Sequence, residues 1–121
     1  MTGWSGDIVR LTAENEAFRA VVYTGEYSQL AVMCINPGAE TGEKAHAHLD
    51  QYVHIQSGSA RLTLGKHEKD VDEVLDLEEN WGAWIPAGKW HTIINSGHAD
   101  LKLYTLYSPP AYPAETFHET A

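Results

Sequence analysis

Basic residues and sulfur are both scarce in this chain. Eight Lys and Arg stand against 17 Asp and Glu, for a formal net charge of −9. A surface of that sign repels a phosphate backbone, which excludes nucleic acid as a partner, and it repels anionic lipid as well. The basic residues stand singly, at Arg10, Arg19, Lys44, Arg61, Lys66, Lys69, Lys89 and Lys102. The sequence therefore shows no cationic cluster of the kind a phosphate site needs. A single cysteine, Cys34, excludes an internal disulfide and suits a reducing cytoplasm. Within "QLAVMCIN" it reads as a small buried residue rather than a nucleophile. No apolar run approaches the roughly 20 residues of a membrane helix. "MTGWSGDIVRLTAENEAF" lacks the basic flank and apolar block of a signal peptide. Helical periodicity is missing too, apart from a turn or two in "TAENEAFRA".

What the chain does contain is strand pattern. Its 121 residues suffice for one domain and one core, and 43% are hydrophobic, as in ordinary globular proteins. Beyond a weakly patterned lead-in over residues 1–17, eight short segments rich in β-branched and aromatic residues follow, with Gly, Pro and Asn between them. They are "FRAVVYTG", "SQLAVMCIN", "YVHIQSG", "ARLTLG", "VDEVLDL", "WGAWIP", "HTIINSG" and "LKLYTLY". Many short strands at close spacing predict an all-β barrel or sandwich. After residue 108, "SPPAYPAETFHETA" reads as an extended tail, because two consecutive prolines cannot continue a central strand.

Two stretches carry chemistry. "KAHAHLDQYVHIQSG", residues 44–58, holds three of the seven histidines. Side chains alternate faces along a strand, so His46 and His48 point the same way and two such imidazoles can share a metal ion. In "NWGAWIPAGKWHTIIN", residues 80–95, Pro86 fixes a turn and Gly88 lets the backbone reverse. His91 then opens a strand whose face it shares with Ile93 and Asn95.

Together these stretches resemble the two motifs of the cupin superfamily. The first motif is glycine, His-x-His, three or four residues, Glu, six residues and Gly. It matches at His46, His48 and Gly58, with Gln51 at the carboxylate position. The second is Gly, five residues, Pro-x-Gly, two residues, His, three residues and Asn. It matches at Pro86, Gly88, His91 and Asn95, with Asn80 for the opening Gly. That exchange is mild, since Asn tolerates the left-handed backbone region. The flanks "NEAFRAVVYTGEYSQLAVMCINPG" and "LKLYTLYSPPAYP" also look like small single-domain cupins. The resemblance implies an antiparallel barrel of six to eight strands (a small jelly roll), as one domain over residues 1–121 with its core at about 18–108. It implies a divalent transition metal (manganese, iron, nickel, zinc or cobalt) held by His46, His48, Gln51 and His91. It also implies a homodimer, for which Trp4, Tyr23, Tyr27 and the tail offer apolar material.

The spacing departs from the family at one point. Only Leu49 and Asp50 separate His48 from Gln51, so on a straight strand Gln51 faces away from both histidines. A turn or bulge at Leu49-Asp50 restores it. Three arrangements follow: all four residues as ligands; His46, Gln51 and His91 with His48 at the rim; or Asp50 as a hydrogen-bond acceptor behind a ligand histidine. Gln brings a neutral carbonyl oxygen where Glu brings a charge, which leaves a bound dication more electrophilic and less firmly held. Val53 and Ile55 line the barrel and His54 faces out. His67, His98 and His118 read as solvated, and at most one of Tyr104 and Tyr107 points inward. Trp81, Trp84 and Trp90 read as core or subunit packing, with a pocket wall as the alternative, and "EKDVDEVLDLEEN" as a solvated edge. The function expected is a metal-dependent enzyme (isomerase, lyase or dioxygenase) on a small oxygen-rich molecule. The alternatives are a non-catalytic binding or sensing module, and a mannose-6-phosphate isomerase-like activity.

Overall fold

The structure is a computed structural model and describes residues 2–121. It begins with one short helix, α1 (Ile8–Glu14), capped by Asp7, whose Oδ1 accepts from the Arg10 amide at 3.1 Å. The helix lies N-terminal to most of "TAENEAFRA", where a turn was expected. Asn15 ends it, and its side chain both donates to and accepts from Ala17, which turns the chain into the first strand.

The eight expected strands all form. They are β1 (Arg19–Thr24), β2 (Gln29–Ile35), β4 (Asp50–Ser57), β5 (Ala60–Gly65), β6 (Glu73–Leu77), β7 (Gly82–Ile85), β8 (Trp90–Asn95) and β9 (Leu101–Ser108). Two more are only two residues long: β3 (Lys44–Ala45), and β10 (Phe117–His118) in the tail expected to be merely extended. A six-stranded sheet runs β10-β1-β2-β9-β4-β7 and a four-stranded sheet β3-β8-β5-β6, with all pairings antiparallel. The fold is all-β, two sheets facing each other as a small jelly roll.

Alternation builds the core. Val53 and Ile55 of β4 and Leu101 and Leu103 of β9 meet Leu62 of β5 and Ile93 of β8 between the sheets, all 2% exposed or less. Each contributes about 1.5–3 kcal/mol of transfer free energy. Cys34 is buried and free. Between β6 and β7 the backbone turns through Asn80 at φ 70°, the left-handed conformation anticipated for the residue replacing glycine.

One side chain ties the two sheets at their far end. Asn95, 4% exposed at the end of β8, donates to Ile35 O of β2 at 2.8 Å and to Ala99 O at 2.9 Å. Its Oδ1 accepts from Gly97 N at 2.9 Å. Asn95→Ala strands a carbonyl of the opposite sheet without a donor. We expect it to cost about 2–4 kcal/mol in denaturant unfolding, with the fold retained; a loss under about 0.5 kcal/mol would refute the tie.

Candidate metal and ligand site

The mouth of the barrel is assembled by strand pairing. β3 pairs with β8 at Lys44↔His91 and Ala45↔Trp90, which sets His46 beside His91 with ring centroids 5.6 Å apart. The chain then turns at Ala47 and His48 and enters β4 at Asp50. The reversal therefore comes one residue pair earlier than the Leu49-Asp50 turn expected from spacing. That shift restores the parity: Gln51, Val53 and Ile55 face inward at 3% exposure or less, while Tyr52 and His54 face out. Two bonds fix the turn against the Pro86–Lys89 loop. Gly88 N donates to His46 O at 2.8 Å, and Ala87 N donates to Asp50 Oδ1 at 2.9 Å. Asp50 thus anchors backbone rather than backing a ligand histidine. Lys89 N closes on Pro86 O with Gly88 at φ 83°, the positive value a type II turn requires at its third residue.

Hydrogen bonding orients the two inner donors. Thr105 Oγ1 gives its proton to Tyr52 O at 2.8 Å, so it can only accept from Gln51, whose Nε2 lies 3.0 Å away. The Gln51 amide is thereby fixed, and its Oε1 is buried with no partner among the described residues. His91 Nδ1 sits 3.2 Å from Lys89 O. A carbonyl oxygen there requires a proton on Nδ1, which leaves the Nε2 lone pair free.

Of the four residues singled out from sequence, the structure brings His46, Gln51 and His91 to one small cavity of about 10 Å³. That is room for one water or one ion. His48 lies exposed in the turn, outside the lining. Burial holds both cavity histidines below the usual imidazole range. Lys44 and Arg19 add to this at His46; at His91 the Lys89 carbonyl opposes it, and His46 and Lys44 reinforce it. Tyr107, 1% exposed, closes the cavity beside His46. Burial pushes its phenol up to about 12, against the pull of the Arg19 charge. Among the described residues no three His, Cys, Asp or Glu side chains converge as a metal cluster.

Outside the cavity, Trp81 and Trp84 are 52% and 63% exposed, so neither is core. His54 faces out, stacked on Tyr104 at 4.8 Å. His67 and His98 are exposed; His118 is exposed too, yet its Nδ1 meets Arg19 Nη1 at 3.2 Å. Sequence reading missed Arg19, Thr105 and Tyr112, since strand positions far apart in sequence carry no local mark of sharing a pocket.

A family model described as "Cupin domain" matches residues 31–107. The uncharacterised protein YrkC of Bacillus subtilis is 34% identical over 114 residues, 94% of this chain and 61% of that protein. An uncharacterised protein of Acanthamoeba polyphaga mimivirus is 41% identical over 103 residues, 84% of this chain and 62% of its own length. The chain thus spans about six-tenths of these two curated relatives. A crystal structure from Bacillus halodurans superposes with a TM-score of 0.96 at 34% identity, covering 98% of this chain and 90% of that one.

The His91 hydrogen bond carries a direct test. In chelator-treated protein at neutral pH, long-range nitrogen–proton NMR should find His91 as the Nδ1–H tautomer. The opposite tautomer would mean that Nε2 is not free to donate its lone pair.

Proposed function

The chain belongs to the cupin family, and from that premise we propose that its barrel mouth binds a divalent transition metal through His46, Gln51 and His91. On the metal's open side it binds a small oxygen-rich molecule. The observation that carries this reading is the orphaned Gln51 Oε1, a buried carbonyl oxygen on a residue that lines an ion-sized cavity. A buried acceptor without a partner costs about 1–3 kcal/mol, and a cation removes that cost. Two neutral imidazoles complete a donor set suited to manganese, iron, nickel, zinc or cobalt. When bound, such an ion supplies Lewis-acid polarisation of a ligand oxygen.

The chain's own groups define what else happens there. The Nδ1–H bond to Lys89 O holds the His91 ring in place. Thr105 holds the Gln51 amide. Tyr107, with its phenol near 12, stays protonated at pH 7 and donates rather than accepts a proton. No Asp or Glu side chain lines the cavity among the described residues, so no carboxylate base stands ready there. This favours ligand capture and polarisation over proton abstraction by a carboxylate, and it keeps a non-catalytic binding or sensing role beside the enzymatic one. Cys34, free and buried, suits a cytoplasmic protein.

Elemental analysis of untagged protein, reconstituted with each metal in turn, tests the reading. We expect about one equivalent bound. His91→Ala should weaken binding by more than about 100-fold, beyond what loss of a supporting hydrogen bond costs. His48→Ala should leave it unchanged, and Gln51→Glu should tighten it by adding a charge. Absence of metal after every reconstitution would sink the proposal. We further propose that the chain forms a homodimer, supported by exposed Trp81 and Trp84 near the β7 edge. Sedimentation should give a dimer that Trp84→Ser weakens at least tenfold; a wild-type monomer at high micromolar concentration refutes it.

A further inference from the structure

Arg19 is the first residue of β1 and one of the most buried polar residues in the molecule, 4% exposed. Its guanidinium carbon lies 4.4 Å from the Tyr112 ring centroid and 5.1 Å from that of Phe18. One end, Nη1, meets His118 Nδ1 at 3.2 Å across the β1–β10 pair. Nε is buried with no partner among the described residues. The two ion pairs found among those residues are Arg10–Glu14 and Arg61–Asp76, both at the surface and both elsewhere.

This is an unusual place to leave a charge. A guanidinium cannot shed its proton, and a buried ion without a counter-ion costs several kcal/mol. The chain has 17 acidic residues with which to neutralise it, and none is brought there. The side chain instead lines the cavity with Lys44, beside His46, Gln51 and Tyr107. The aromatic packing holds the guanidinium plane, and its Nε–H is left without an acceptor among the described residues. A planar fork held in this way matches a carboxylate, which takes two parallel N–H bonds, better than a tetrahedral anion.

We propose that Arg19 is a ligand-binding residue that anchors the carboxylate of a small organic acid in the barrel mouth, with Lys44 as an auxiliary positive charge. The inference rests on reading the cavity as the ligand site, but it does not require the metal. Arg19 touches ligand through Nε–H, while Tyr112 and His118 position it. The cavity admits one oxygen-sized group, so a short acid of two to four carbons would enter by its carboxylate and leave its carbon chain in the mouth.

The test uses the full chain, chelator-treated and metal-loaded, titrated with acetate, malonate and succinate, with inorganic phosphate and glycerol as comparisons. The readout is the Arg19 Nε–H resonance in nitrogen–proton NMR, assigned by its loss in Arg19→Lys, together with calorimetric affinity. We expect one of the acids to shift that resonance saturably in the chelator-treated protein, and Arg19→Lys to weaken binding by about tenfold or more. Arg61→Gln, at a surface ion pair, should change nothing. Should the Arg19 variants fail to fold, the wild-type resonance still reports contact, assigned by elimination with Arg10→Gln and Arg61→Gln, since the chain has three arginines. An unmoved Nε–H resonance at saturating acid overturns the proposal, as does undiminished affinity in a folded Arg19→Lys. Binding of phosphate without any acid overturns the carboxylate class. Acid binding that persists when no metal is taken up sinks the metal reading alone. Acid binding that needs metal and ignores Arg19 sinks this one alone.

Discussion

The parity of β4 is the constraint on which the mouth of this barrel depends. Successive side chains on a strand face opposite ways, so a shift of one residue exchanges the whole inner set for the outer. With Gln51 inward, Val53 and Ile55 fill the core and the Gln51 amide reaches Thr105. The other register would bury Tyr52 and His54 and expel the one amide oxygen the cavity has. Pairing with β9 at Gln51↔Tyr107 and with β7 at Gln51↔Ile85 holds the strand from both sides. The early turn at Ala47 and His48 delivers the chain into that register, and its bonds to the Pro86–Lys89 loop stop it from slipping.

The same turn explains why one part of the site could be read from sequence and another could not. Eight strands were legible because alternation and turn residues are local signals, as were Pro86, Gly88, His91 and the left-handed Asn80. His46 and His91 followed from motif spacing. The place of His48 did not, because alternation applies only while the chain stays extended, and β3 stops at Ala45. Ala47 and His48 have no special turn chemistry. They turn because β3 is bound to β8 and β4 to β9, a constraint imposed from elsewhere in the fold. Helix α1 was missed for a related reason: seven residues are too few for a periodicity to emerge, and its marker is the single cap at Asp7.

Charge shows the largest gap between chain and fold. Along the sequence the basic residues look scattered and the molecule strongly acidic. Arg19 and Lys44 are 25 positions apart in sequence yet line one cavity that has no carboxylate among the described residues. The net charge of −9 therefore describes the outer surface and inverts at the mouth. The acidic surface and the proposed attraction of a small anion are compatible, because field lines in a narrow low-dielectric mouth are set by the nearest charges.

The neutral ligand and the two cations then belong to one electrostatic arrangement. A carboxylate at position 51 would share the cavity with Arg19 and Lys44 and offset their charge, lowering the affinity for an incoming anion. Glutamine contributes the same oxygen without that charge. The cavity consequently stays short of negative charge, and a dication bound by two imidazoles and an amide would deepen the deficit. Metal and guanidinium repel each other unless an anion lies between them, so an organic acid bridging the two relieves both. On the proposed reading, two features that look like separate irregularities, a glutamine where a glutamate is expected and a buried arginine without a counter-ion, are the two sides of a site whose missing charge is carried by its ligand.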